Sequence, residues 1–128
     1  MKKESPKTKL MKKANKLWKQ AVLSRNPRCE VCGSTFGLTA HHFFPRSSAG
    51  HMIYLVENGI SLCQSCHFKH HFTFNPTIHH KITVRRGEKW YNKLEKISKE
   101  EHASYRSVEY YKDNIQRLEE LINKYGER

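Results

Sequence analysis

The stretch Ala40-His41-His42-Phe43-Phe44-Pro45, with Asn58-Gly59-Ile60-Ser61-Leu62-Cys63-Gln64-Ser65-Cys66-His67-Phe68-Lys69-His70-His71 after it, decides how this chain is read. Just upstream lies Cys29-Glu30-Val31-Cys32. Two kinds of metal-binding side chain are interleaved here, thiols and imidazoles. All four cysteines fall into two Cys-x-x-Cys pairs, Cys29/Cys32 and Cys63/Cys66. Four thiolates at that spacing fit a tetrahedral structural Zn2+ site. A redox pair would need a strand–helix context and would not need two copies. Residues 33 to 62 separate the pairs, so the metal would tie together the ends of a hairpin-sized insert and add folding free energy directly.

The histidines ask for a different job. Neutral imidazole binds divalent transition ions, and with an ordinary pKa of about 6.5 it can also act as a general base near neutral pH. Phosphodiester hydrolysis needs both a base for water and a cation for the phosphate. Neighbouring strand residues point to opposite sides, so His41 and His42 suit one ligand and one base. His67 and His71, four apart, share a helix face that can converge with one of them, while His70 sits one position off that face.

The totals set the frame. With 128 residues, 37% hydrophobic and 28% charged, the chain is expected to be one domain whose small core needs a staple. It has no apolar leader at Met1-Lys2-Lys3-Glu4-Ser5-Pro6 and no run able to span a bilayer, which predicts a cytoplasmic protein without a membrane partner. The net charge of +12 and pI near 9.7 point to a polyanion. That charge is concentrated in residues 1–28, which hold eight Lys and two Arg against one Glu. Residues 98–128 hold three Lys and three Arg against six Glu and one Asp.

Periodicity places the elements. Ser5-Pro6 opens a helix with Leu10, Ala14, Leu17 and Ala21 as its apolar stripe and Met11, Trp18 and Val22 on the flank; Asn26-Pro27 closes it. Lys9, Lys12, Lys13, Lys16 and Lys19 are left on the polar side, where they can follow phosphates; a solubilising helix is the plain alternative. A strand over Leu38–Phe43, a loop over Pro45–Gly50, an extended Met52–Val56, a turn at Asn58-Gly59 and a strand at Ile60–Leu62 follow. A helix is expected from about Ser65 until Asn75-Pro76 stops or redirects it. Gly87–Ile97 has helical spacing, and Ser98 with Glu101 has the form of a capping box. A last helix, near Tyr105–Tyr125, carries Tyr111, Ile115, Leu118, Ile122 and Tyr125 as a stripe for core packing or, alternatively, a homodimer seam.

His42, Asn58 and His67, framed by Cys29/Cys32 and Cys63/Cys66, resemble the HNH endonucleases with the ββα-metal (His-Me) finger. The resemblance covers about residues 29–71 and includes Pro45, the Asn-x-x-x-Leu-Cys-x-x-Cys-His run and the later His71. Small phage-type members look similar. The resemblance implies an α+β fold: a ββα-metal core at 29–76 stapled by a four-cysteine zinc site, a basic helix at 1–28 before it, and a helical extension at 77–128 after it. It implies that His42 is the general base and that His41, His67 and His71 bind the catalytic divalent metal. Many members have aspartate at the position of His41; the imidazole-rich branch has histidine. The metal is therefore open among Mg2+, Mn2+, Ni2+ and Zn2+, with imidazole favouring late ions. Asn58 matches a residue that orients the hairpin or touches the metal, although Asn-Gly also suits a tight turn. Arg46 is placed to position a phosphate.

The function expected is metal-dependent hydrolysis of DNA, nicking or cutting both strands. The alternatives are a non-catalytic zinc module that binds nucleic acid in a phage or mobile element, alongside recombination or packaging proteins, and an RNA-directed nuclease. His51, His79, His80 and His102 are expected to be incidental or phosphate-facing.

Overall fold

The computed structural model describes residues 3–44, 50–72, 76–100 and 107–126. Helix α1, Pro6–Arg25, starts where Ser5 caps it: the Ser5 hydroxyl accepts from the Thr8 amide at 3.1 Å, and Pro6 fills the first turn. Asn26 closes it with an N–H to the Val22 carbonyl. Its buried face is Ala14, Trp18, Ala21 and Val22, with Leu10 and Leu17 only partly buried. Trp18 is thus at the centre of the stripe, not on its flank.

Strands β1 (Leu38–His42) and β2 (Gly59–Cys63) form a two-stranded antiparallel sheet, with His41 opposite Ile60 and His42 opposite Gly59. Facing residues in such a ladder point to the same side. Every residue of β2 is buried, because helices cover both sides. On one side lies α1. On the other, Ile60 and Leu62 pack with Cys29, Phe43, Ile78 and Ile82. Helix α2 (Gln64–Phe72) follows β2 directly, and α3 (Pro76–Arg86), α4 (Glu88–Ser98) and α5 (Val108–Gly126) complete the order. Helix and sheet together make the α+β class expected.

Several local expectations change. Residues 50–58 are not extended; they form two short 3₁₀ turns, Gly50–Met52 and Val56–Asn58. The apolar residues Ile53, Tyr54 and Val56 are wedged among α1 and α5, and the folded loop buries side chains that a strand would split between two faces. Asn58-Gly59 is not a hairpin turn either. Gly59 has φ −96° and ψ 138°, ordinary extended geometry, and glycine is required there for space. A Cβ would overlap the Val22 Cγ2 methyl and press on the Trp18 ring at 3.1 Å. Ser98 ends α4, its hydroxyl donating to the Glu95 carbonyl at 2.6 Å, so it does not open a capping box. Glu101, like the Pro45–Ala49 loop, lies outside the described residues. The cap of α5 is Ser107, which accepts from the Tyr110 amide at 3.1 Å.

The α5 stripe is filled within the chain. Tyr111, Ile115 and Leu118 are buried in the cluster built on α1, with Ile122 and Tyr125 packed at its edge. That face is spent on α1, which leaves no comparable apolar seam for a homodimer among the described residues of α5. No described helix is long and apolar enough to cross a membrane.

Gly59→Ala should lower unfolding free energy by about 1–3 kcal/mol or more, the usual cost of overpacking a filled core. Urea denaturation measures it as a shifted midpoint with an unchanged slope. An unshifted midpoint would mean that α1 does not press on Gly59.

Candidate functional site

The cysteines come together as their spacing requires. The Sγ atoms of Cys29, Cys32, Cys63 and Cys66 all lie within 4.8 Å of one another, and Cys32 and Cys63 are 3.6 Å apart. A Zn–S bond of about 2.3 Å gives a tetrahedral S···S edge of about 3.8 Å, so the cluster has the size of a four-thiolate zinc site. A disulfide, at about 2.05 Å, is far shorter. The donor set fits, and these four residues could hold a structural metal such as zinc.

The first knuckle is built for this. The Gly33 amide bonds the Cys29 carbonyl at 2.9 Å, and Gly33 at φ 80° makes the reversal that few other residues tolerate. Burial opposes ionisation of Cys29, but the backbone amides of Cys32, Cys63 and Val31 outweigh it and bring its pKa from 9.0 to about 7. Burial first, and then the neighbouring thiols, push Cys66 well above its ordinary value. The site is therefore asymmetric before any metal enters.

A second fastening was not visible in the sequence. Glu30, inside the first Cys-x-x-Cys, is buried, and Arg86 of α3 grips it with both ends: Nε donates to Oε1 and Nη2 to Oε2, each at 2.7 Å. The same guanidinium donates to the Gly59 and Glu57 carbonyls at 2.7 and 3.0 Å and lies 4.8 Å from the centre of the Trp90 ring. The Ser61 amide completes the carboxylate at 3.0 Å. One arginine thus joins the knuckle, the start of β2 and α4. Only the Cys-Glu-x-Cys pattern hinted at it, and nothing in sequence tied Glu30 to a residue 56 positions away.

The histidines separate by strand side. His41 faces α2, with its ring 4.0 Å from that of His67 and tilted by 35°. Its Nε2 lies 2.8 Å from the Thr39 hydroxyl, two residues back on the same face, and that hydroxyl also reaches the Leu62 carbonyl at 3.4 Å. A carbonyl only accepts. The hydroxyl can give its hydrogen to that carbonyl or to His41 Nε2, so the contact holds the ring in place without selecting its tautomer. His71 follows His67 by one turn of α2; its side chain, like Arg46, lies outside the described residues.

His42 is on the opposite side, stacked flat on Trp18 at 4.0 Å and 5°. Its Nε2 is 2.8 Å from the Ile53 carbonyl, so Nε2 carries the hydrogen and the neutral ring has its lone pair on Nδ1. Asn58 is fully buried and acts as a two-pronged clamp. Its Oδ1 accepts from the Phe44 amide at 2.8 Å and its Nδ2 donates to the Phe44 carbonyl at 3.2 Å, two residues after His42. It holds the chain leaving β1, with both polar atoms of its side-chain amide engaged by the backbone of Phe44.

Other candidates scatter. Lys9, Lys12, Lys13, Lys16 and Lys19 are all exposed, on the side of α1 away from Trp18 and His42. Lys12 pairs with Glu4, and Lys13 lies 3.8 Å from Glu119. His51 bonds the Ile97 carbonyl at 2.7 Å, and His79 stacks on Phe43 at 4.2 Å, where burial keeps its ring below the usual histidine range. Both serve packing. His80 is exposed, and His102 lies outside the described residues.

With two antiparallel strands leading into a helix, a thiol cluster at the junction and His41 meeting His67, the site can be compared with known families. Residues 29–73 match the family model described as HNH endonuclease. This segment is an HNH domain. No curated protein and no solved structure matches the chain significantly. Trp18, Arg86 and the whole of α3, α4 and α5 lie beyond the matched residues.

Two outcomes follow. Zinc binding to the metal-free chain at pH 7 should release fewer than four protons per ion, since Cys29 is already partly ionised, whereas Cys32 and Cys66 are held above their ordinary value; affinity should fall steeply as pH drops. Titration in weak buffer with a pH indicator reads this, and a pH-independent affinity would exclude thiolate ligation. Arg86→Ala, which strands a buried carboxylate, should cost about 3–5 kcal/mol, whereas Glu30→Gln/Arg86→Leu together should cost less, in urea denaturation at fixed zinc.

Proposed function

We propose that this chain is a metal-dependent DNA endonuclease in which His42 is the general base. The observation that carries it is the division of labour across β1, with His41 meeting His67 on one side and the tautomer of His42 set by the Ile53 carbonyl on the other. A binding module would need neither feature.

His41, His67 and, by the family pattern, His71 would hold the catalytic divalent cation. That ion, when bound, supplies positive charge for the scissile phosphate and the leaving 3′ oxygen. Imidazole donors favour Ni2+, Zn2+ or other late ions over Mg2+, and Mn2+ lies between.

The chain's own groups do the rest. Thr39 holds the ring of His41 through its Nε2. His42 takes a proton from the attacking water on Nδ1, while its Nε2–H stays on the Ile53 carbonyl, so the ring need not turn during the step. Asn58 anchors Phe44, and so the direction in which the strand carries His42 out of the sheet. The outward lysines of α1, Lys9, Lys12, Lys13, Lys16 and Lys19, face away from the base. They suit contacts to flanking phosphates, and their binding should weaken with salt. Arg46 remains a proposed phosphate contact.

His42→Ala should abolish plasmid cleavage, by at least about 10²-fold, the usual contribution of a general base, with zinc content and DNA affinity near wild type. The assay is nicking and linearisation of supercoiled DNA across Mg2+, Mn2+, Ni2+ and Zn2+, with RNA as a parallel substrate. Normal cutting by the variant rules out His42 as base. One bound metal per chain with no cutting favours a zinc-stabilised nucleic-acid-binding module, and preferential cutting of RNA changes the substrate class.

A further inference from the structure

We propose that Trp18, on a helix outside the HNH domain, is a positioning residue for His42, so that α1 completes the active site. The proposal rests on the nuclease assignment above and adds a part that the HNH segment does not contain. Three contacts close a triangle. The Trp18 ring lies flat on the His42 ring at 4.0 Å. His42 Nε2 donates to the Ile53 carbonyl at 2.8 Å. The Trp18 indole N–H donates to the Leu55 carbonyl at 2.9 Å. One side chain therefore holds the face of the imidazole and also the loop whose carbonyl selects its tautomer.

The surroundings fix Trp18 in turn. It is 2% exposed, and it reaches the sheet because Gly59, opposite His42, has no side chain. One turn earlier on α1, Asn15 accepts from the Tyr54 hydroxyl at 2.9 Å, and Arg117 of α5 donates to the Tyr54 carbonyl at 2.6 Å. The loop is thus held at Tyr54 and Leu55, directly after Ile53. A flat stack leaves the ring little rotation about its last torsion. A base must be held close to its productive geometry, since an error of about 1 Å can cost about 10²-fold in rate.

A simple packing role for Trp18 would be met by any apolar side chain of adequate size. A positioning role needs an aromatic face. Trp18→Phe keeps the face and loses the N–H; Trp18→Leu keeps apolar volume and loses the face. Leu should lower kcat about tenfold or more with KM for DNA unchanged, and Phe, which keeps the face but releases the Leu55 carbonyl, should fall between Leu and wild type, at matched zinc content and fold by NMR.

A second readout needs no activity. The carbon-bound ring protons of His42, assigned by their loss in His42→Gln, should be shifted upfield by the indole ring current in the wild-type chain and should move toward ordinary values in Trp18→Leu. Ordinary shifts in the folded wild type overturn the stack whether or not any variant folds. Equal kcat in Trp18→Leu and wild type overturns the positioning role while leaving the nuclease intact. A wild type that leaves DNA uncut with every one of the metals overturns the nuclease assignment, and the positioning role with it.

Discussion

The absence of a side chain at Gly59 is the constraint on which the arrangement turns. Only there can α1 come close enough to the sheet for Val22 and Trp18 to rest on β2. That approach brings the Trp18 ring onto His42, across the ladder from Gly59. It also covers one side of a sheet only two strands wide. Such a sheet is marginal alone and holds when both faces are covered. Here α1, backed by α5, covers one side, and α3, with the cysteine knuckles, covers the other.

Two fastenings then lock the knuckles to the sheet by different chemistry. The thiol cluster draws Cys29 and Cys32 to the end of β2 and the start of α2. The Glu30–Arg86 pair draws the same knuckle to the carbonyl of Gly59 and to α3. A buried ion pair gives little net stability against an apolar replacement, yet it tolerates few alternative geometries. The thiol cluster and the ion pair together specify where β2 begins and ends. The spacing between His42 and His67 depends on that placement.

The site therefore has more than one source. The HNH segment supplies His41, His42, Asn58 and His67, while the flanking helices supply Trp18 and, through Arg117, a grip on the loop carrying the Ile53 carbonyl. The basic charge of residues 1–28 takes on a second meaning. Helix α1 presents its lysines outward and its tryptophan inward, so one element has both a basic exposed face and the aromatic contact to His42.

Much of this was legible in the residues themselves. Cys-x-x-Cys spacing and strand alternation at His41-His42 are local rules. They depend on bond geometry that no distant contact alters, and so the α+β core, the thiol cluster and the separation of the two adjacent histidines could be read directly. The cap at Ser5-Pro6 and the end at Asn26 were local in the same way. Other features were decided only in three dimensions. Asn58-Gly59 has the composition of a turn, but burial gave the amide to Phe44 and the glycine to the approach of α1. Met52–Val56 looked extended until the gap between α1 and α5 folded it into 3₁₀ turns. Glu30 with Arg86, and Trp18 with His42, are 56 and 24 positions apart. Pattern alone specifies which residues can do the chemistry; close packing, acting between segments far apart in the chain, selects their partners.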